Sequence, residues 1–136
     1  QGGKQIRRRN WEPFPADPAS INAVVLTHAH IDHSGFLPAF VRDGFSGPIY
    51  CTPATAELLE LLLRDSAHLQ EEEARYANKK KSSRHAPAKP LFTIEDTEAA
   101  LKLIEVRKFG ASFSPAPGFE ASYSRAGHIL GAAQFE

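Results

Sequence analysis

The chain has 136 residues, 42% of them hydrophobic, which is enough for one modest domain. Its 16 basic and 16 acidic residues balance, so net charge argues neither for nor against a nucleic-acid partner. We see no apolar run long enough to cross a bilayer and no signal-peptide pattern, and we therefore expect no membrane partner. The single cysteine excludes an internal disulfide and favours a reducing compartment, so we predict a cytoplasmic location.

The first twenty residues are polar and rich in proline, so they predict no long regular element. Residues 17–20 could still form a single turn. The basic residues 7–9 are better explained by a solvated loop than by a phosphate contact. The apolar, β-branched run from Ile21 to Leu26 then predicts a buried strand.

The predicted strand leads into four side chains that can bind metal, in the order H-x-H-x-D-H: His28, His30, Asp32 and His33. In an extended chain His28 and His30 project to the same side and can hold one ion. Asp32 and His33 follow as the chain turns, and they can hold a second ion. Two ions about 3.5–4 Å apart would stabilise both the attacking and the leaving oxygen of a displacement. A structural zinc site is usually closed by cysteines, and only Cys51 is present, so the pattern favours catalysis.

The next segment predicts one helix and one strand. Residues 36–43 have apolar side chains near helical spacing, and Gly44 is suited to ending that helix. After a turn at Gly47 and Pro48, residues 49–51 predict a second short strand.

A long helix is predicted from Ala54 to about Lys79. Thr52 suits its N-cap, and Pro53 suits the first helical position. The predicted buried stripe consists of five leucines: Leu58, Leu59, Leu61, Leu62 and Leu69. Cys51 is expected to be a small core residue, because nothing nearby would activate its thiol.

Residues 79–89 mix basic side chains with serine, alanine and proline, which predicts a flexible basic loop. A solvated loop is the simpler interpretation. The alternative is a patch that neutralises nucleic-acid phosphates and binds in a salt-dependent way. The candidate contacts are Lys79, Lys80, Lys81 and Arg84. His68 and His85 have no partner at ligand spacing, so we expect them to be structural or exposed.

The last third predicts a helix and then a strand. Thr93 and Asp96 form a short capping box, and the helix should turn Ala100, Leu101, Leu103 and Ile104 towards the core. Residues 106–113 are expected to be extended, and the alternating pattern of residues 119–126 predicts a strand.

That strand delivers Gly127 and His128. Glycines at 127 and 131 let the backbone pass close to another group, for which a metal site is a natural candidate. His128 is therefore a credible distal ligand.

These segments together resemble a known family. Residues 27–35, Thr-His-Ala-His-Ile-Asp-His-Ser-Gly, are similar to the signature of the metallo-β-lactamase superfamily. Residues 37–38, 47–55 and 126–133 narrow the resemblance to its β-CASP branch, RNA-processing nucleases related to the cleavage and polyadenylation specificity factor endonuclease. The resemblance implies an α/β fold, namely part of an αββα sandwich.

The resemblance also implies a metal centre with two zinc ions in the complete enzyme. It assigns His28, His30 and His128 to one ion, and Asp32 and His33 to the other. Asp32 would in addition act in catalysis by orienting the attacking water. The bridging aspartate and the final histidine of the family would follow Glu136. We therefore expect residues 1–136 to be an internal fragment of a metallo-β-lactamase domain, without the β-CASP domain and inactive alone.

The implied function is zinc-dependent hydrolysis of RNA phosphodiesters in RNA processing or decay, with RNA as the partner. It makes the four basic residues of the 79–89 segment candidates for RNA binding. A metal-dependent hydrolase of a small ester, thioester or lactone is one alternative, and a non-catalytic RNA-binding subunit is another. Endo- or exonuclease action, the RNA target and a homodimer all stay open.

Overall fold

A computed structural model describes residues 9–80 and 87–136 of the chain. The elements in chain order are a 3₁₀ turn Pro18–Ser20, β1 Val24–Val25, α1 Ile31–Ser34, α2 Leu37–Arg42, β2 Ile49–Cys51, α3 Pro53–Lys80, α4 Ile94–Leu101, β3 Ile104–Val106, β4 Tyr123–Arg125 and β5 Ala133–Phe135. Among the helices so described, none combines the length and the apolar character needed to cross a membrane.

The strands form two sheets. β1, β2 and β3 lie side by side in that order and are all parallel. Helices connect them, as parallel neighbours require, because each connection must return the chain to the same end of the sheet. β4 and β5 pair antiparallel in a separate two-stranded sheet.

Successive side chains of the parallel strands point to opposite faces of the sheet, and each face packs against a separate core. Ile49 and Cys51 pack with side chains of α2 and α3, and Val24 lies against the same cluster. Tyr50, between them on β2, points to the opposite face and packs with Tyr123 of β4. Helices therefore cover one face of the parallel sheet and the β4–β5 hairpin covers the other. These α, β and β layers confirm the predicted α/β class and correspond to three layers of the αββα sandwich.

Hydrogen bonds to carbonyl groups of β2 and of the segment after β1 tie the two sheets together. The carbonyl oxygen of Tyr50 accepts bonds of 2.9 Å from both the Leu26 amide and the Tyr123 hydroxyl. Burial raises the pKa of Tyr123, so its hydroxyl stays protonated and keeps donating. The Ala133 amide donates to the Thr27 carbonyl at 2.8 Å. The hairpin is thereby held next to the segment that follows β1.

Several local predictions are confirmed. Asp17 caps the predicted turn through its side chain, and Thr93 and Asp96 form the reciprocal capping box. Gly44 follows the end of α2 with φ of +122°, a conformation that favours glycine. Cys51 is fully buried, and burial raises its pKa to about 12, so it is an inert core thiol.

Other elements differ from the prediction in extent. β1 is shorter than the predicted run from Ile21 to Leu26, since pairing with β2 involves only Val24 and Val25. The predicted helix after the histidine motif is preceded by a separate four-residue helix, α1. Ile104 belongs to β3 and not to the preceding helix, and β5 was not predicted.

The prediction of which leucines of α3 are buried is partly wrong. The fully buried positions are Thr55, Leu59, Leu63 and Ala67, each four residues from the next. Such positions share one face of a helix, which here meets the core. Leu61 and Leu69 were expected inside but face solvent. A run of leucines makes more than one face of a helix apolar. Which of these faces is buried depends on the elements that pack against the helix.

The burial of α3 predicts unequal effects of two leucine substitutions. Leu63 is 1% exposed and Leu61 is 69% exposed. We expect Leu63→Ala to lower the free energy of unfolding by about 2–5 kcal/mol because it leaves a cavity. Leu61→Ala is the matched control and should change it by less than about 0.5 kcal/mol. Denaturant unfolding monitored by circular dichroism measures both, and equal losses would contradict this packing.

Candidate metal centre

Three histidines converge from two distant segments. His28 and His30 lie between β1 and α1, and His128 lies in the loop between β4 and β5. One ring nitrogen of each lies within 4.8 Å of those of the other two. The closest pair is His30 Nδ1 and His128 Nε2, which are 3.1 Å apart. The structure thus brings together the three residues expected to share one ion.

The segment from His28 to His30 has one side that faces the core and one side that is half-buried. Ala29, between His28 and His30, is fully buried, so the two histidines project away from the core as an extended segment requires. The buried hydroxyl of Ser34 lies 3.1 and 3.0 Å from the carbonyl oxygens of Ala29 and His30. Through Ser34, helix α1 therefore holds the backbone of the segment from His28 to His30 on its buried side.

The ring of His28 fits a metal ligand. Its Nδ1 lies 2.9 Å from the Thr27 hydroxyl, which fixes the ring through that nitrogen. Its Nε2 is buried and has no hydrogen-bond partner among residues 9–80 and 87–136. A buried polar atom without a partner costs about 1–3 kcal/mol. A cation shared with His30 and His128 would satisfy it, and three imidazoles suit zinc, copper, iron or nickel.

Electrostatics keep His28 in the form that binds metal. Burial lowers its pKa, and the nearby His33, His128 and His30 rings lower it further, whereas Asp32 partly opposes them. The imidazole is therefore neutral at neutral pH. Metal ligation needs this unprotonated nitrogen.

Asp32 and His33 lie next to the trio on α1. Their side chains are exposed, and Asp32 Oδ2 lies 3.5 Å from His33 Nε2. The His33 ring centroid is 4.4 Å from that of His28. Within the described part of the chain, the set of three or more metal-capable side chains contains only His28, His30 and His128. The ligands expected for a second ion are thus adjacent to the trio but not gathered with it.

A buried contact with α3 positions the His128 loop. The hydroxyls of Thr52 and Thr55 lie 2.6 and 3.1 Å from the carbonyl oxygen of Gly131. Gly131 has a φ of +79°, and a Cβ there would lie 2.5 Å from the Thr55 amide nitrogen. Gly131 closely approaches the start of α3, whereas a Cβ added at Gly127 would have no heavy atom within 4 Å, so the expected approach of these glycines to a metal stays a prediction. The sequence marked Thr52 only as an N-cap and gave Thr55 no role of its own.

The remaining candidates lie outside this cluster. Lys79 and Lys80 are exposed at the end of α3, with Lys80 Nζ 4.6 Å from the centre of the Tyr76 ring. His68 is exposed on the same helix, as expected. The other predicted residues of the basic segment, Lys81, Arg84 and His85, fall outside the described residues. RNA contacts by any of these residues stay a prediction.

The contact between Gly131 and α3 yields a test of how His128 is held. We expect Gly131→Ala to weaken metal binding about 10- to 100-fold, the range seen when supporting contacts of metal ligands are lost. The added Cβ would collide with Thr55 and shift the loop that carries His128. Gly127→Ala is the control and should leave affinity unchanged, because open space surrounds that position. Competition with a chromophoric chelator measures both; equal affinities would show that the contact does not position His128.

Comparison with known proteins places these residues in a family. The family described as "Beta-lactamase superfamily domain" matches residues 3–125. The chain is 35% identical over 125 residues to ribonuclease TTHA0252 of Thermus thermophilus, covering 92% of this chain and 25% of that protein. It is 37% identical over 113 residues to transcription termination factor FttA of Methanococcus maripaludis, covering 83% of this chain and 16% of that protein.

A third relative, transcription termination factor FttA of Thermococcus kodakarensis, is 33% identical over 119 residues, which are 87% of this chain and 16% of that protein. The chain thus spans a quarter or less of the length of these relatives. The matched residues include the whole H-x-H-x-D-H motif and the parallel sheet. The chain belongs to the metallo-β-lactamase superfamily, and its resemblance to the RNA-processing β-CASP branch of that superfamily is confirmed.

Proposed function

We propose that the complete protein is a zinc-dependent ribonuclease that hydrolyses RNA phosphodiester bonds in RNA processing or decay. His28, His30 and His128 hold one ion, and Asp32 and His33 contribute to a second, completed by residues outside this chain. The proposal concerns the complete protein, since the chain spans only 25% and 16% of the first relatives. A cytoplasmic location agrees with the single reduced cysteine.

One observation carries the metal assignment. The buried Nε2 of His28 has no partner among the described residues, although one ring nitrogen of each of His28, His30 and His128 lies within 4.8 Å of those of the other two. A structural cluster would be expected to pair that nitrogen, because native proteins satisfy nearly all buried polar atoms. The choice of RNA as substrate is supported by relatives named a ribonuclease and a transcription termination factor.

The residues of the chain prepare the site for hydrolysis. Zinc bound there would supply a Lewis acid for the phosphoryl oxygens and lower the pKa of a coordinated water to about 7. Thr27 holds the His28 ring through Nδ1 and thereby keeps Nε2 available. In this proposal the carboxylate of Asp32, which is exposed beside the trio, orients the attacking water and accepts its proton. His33 Nε2 lies 3.5 Å from Asp32 Oδ2, so the two side chains can act on the same ion.

A second candidate is supported by a cavity. An apolar space of about 410 Å³ lies beside His33 and is lined also by Val24, Phe36 and Phe40. Such a space would suit the acyl group of a small ester, thioester or lactone. The same ligands would then act on a carbonyl carbon in place of a phosphorus atom. A non-catalytic RNA-binding subunit is a weaker candidate, because all five predicted ligands are present.

Metal content and cleavage test the proposal in the full-length protein. We expect about two zinc ions per chain and RNA cleavage that chelation abolishes. His30→Ala should reduce cleavage at least about 100-fold, because it removes a ligand. His68→Ala is the matched control, since that exposed histidine lies outside the cluster, and it should retain activity. Zinc with ester hydrolysis but no RNA cleavage would favour the second candidate, and absence of bound metal would contradict both enzymes.

Salt dependence tests the two described lysines of the basic segment. If Lys79 and Lys80 each contact a phosphate, removing both should reduce the slope of log affinity against log salt by about 1.4. Binding of single-stranded RNA by Lys79→Ala/Lys80→Ala at several salt concentrations measures this slope. Lys102→Ala removes an exposed lysine after α4 and serves as the control. Unchanged slopes would show that these lysines contact no phosphate and would leave them a role in solubility alone.

A further inference from the structure

A groove leads away from the candidate metal centre. A cavity of about 190 Å³ is lined by Asp32, and a second of about 370 Å³ is lined by Trp11, Gln70 and Lys89. The two cavities share Asn10 and Leu91, so they adjoin. We call these two adjoining cavities together the Trp11 groove. It begins at the carboxylate assigned to catalysis and ends at a large aromatic side chain.

The far wall of the groove is held by specific hydrogen bonds. The Leu91 amide donates to Gln70 Oε1 at 3.0 Å. The Asn78 side chain both accepts from the Ala88 amide at 2.6 Å and donates to the Ala88 carbonyl at 2.9 Å. Two side-chain amides of α3 therefore fasten the segment from Ala88 to Leu91 along the helix. The groove exists before any ligand enters, which reduces the ordering cost of binding.

Trp11 lines the larger cavity and is the aromatic residue of its wall. It is 63% exposed, although tryptophan is one of the most buried residue types on average. It is the single tryptophan of the chain. An exposed indole at the end of a groove is a platform on which a planar group can stack. Stacking of nucleic-acid bases on such side chains is tolerant of base identity.

The charged side chains of the larger cavity favour a base over a phosphate at the Trp11 end of the groove. Glu73 and Lys89 both line the larger cavity, so it carries no net positive charge that would attract a phosphate. Asn10, at the junction of the two cavities, offers amide donors and an acceptor of the kind that pair with base edges. The phosphate of a nucleotide would instead lie towards the metal centre at the other end.

The same helix face continues towards the basic segment. Gln70, Ala74 and Ala77 line the cavity and lie one helical turn apart. Lys80 follows three residues after Ala77 and so continues this face. A strand that enters the groove can therefore run along α3 to the lysines at its end.

We propose that the Trp11 groove binds one unpaired base of a single-stranded RNA whose phosphodiester lies at the metal centre. The inference rests on the proposed function for the nature of its substrate. It adds to that function a subsite formed by Trp11 and Asn10, within the same domain as the metal ligands.

Binding without cleavage tests this subsite. The metal-loaded full-length protein is used with RNA whose linkages resist hydrolysis, and affinity is measured by fluorescence anisotropy. The first ligand is a labelled oligoadenylate, and the second is an RNA backbone of equal length that lacks bases. We expect Trp11→Ala to bind oligoadenylate about 5- to 100-fold more weakly, the range for loss of one stacked base. Its affinity for the strand without bases should equal that of the wild-type protein.

Two further variants separate stacking from structure. Trp11→Phe keeps an aromatic face and should stay within about threefold of the wild-type affinity. Phe119→Ala removes an aromatic side chain of similar exposure, 67%, that lines a different cavity, and it should bind both ligands normally. Thermal unfolding of each variant identifies any that does not fold.

The outcomes distinguish this inference from the proposed function. Cleavage of an unmodified oligoadenylate by the metal-loaded wild-type protein is measured in parallel. Cleavage together with unchanged affinity of Trp11→Ala would overturn the subsite alone. Base-dependent binding through Trp11 without cleavage would support the subsite and overturn the nuclease. Equal losses on both ligands would indicate a structural role for Trp11 and would overturn the subsite.

Discussion

The position of His128 depends first on a main-chain hydrogen bond at the end of β1. The Thr27 carbonyl, one residue before His28, accepts from the Ala133 amide, five residues after His128. This bond brings the end of the hairpin loop to the histidine motif. Gly131, between them in the loop, is fastened separately to Thr52 and Thr55. Two anchors on so short a loop leave its histidine little freedom, as a metal ligand requires.

The histidine cluster is unfavourable for the chain by itself. The three rings crowd together with centroids 4.8–5.0 Å apart, and the buried Nε2 of His28 lacks a partner among the described residues. A bound cation would remove the cost of that unpartnered nitrogen, because it binds neutral imidazoles and fills its coordination. Metal binding and folding stability are then linked: a ligand that binds only the native state stabilises it by mass action.

One helix links the metal centre to the proposed substrate path. The first turn of α3 carries Thr55, which holds Gly131 and through it the loop of His128. The second half of α3 forms one wall of the Trp11 groove and ends in lysines. The core-facing stripe from Thr55 to Ala67 fixes the rotation of the whole helix. That rotation sets both the support of the metal loop and the side chains that line the groove.

The sequence by itself determined the features that depend on neighbouring residues. The H-x-H-x-D-H motif, the capping box at Thr93 and the glycine stop at Gly44 all follow from local spacing and backbone preference. Tertiary structure alone decided which leucines of α3 are buried, what Gly131 touches and that Trp11 lines a cavity together with residues of α3. These features join residues far apart in the chain: His30 and His128 are 98 positions apart, and Thr52 and Gly131 are 79 apart. The periodicity of apolar residues predicts which face of an element is buried. It does not predict which distant residues that face contacts, because these are determined only when the layers pack.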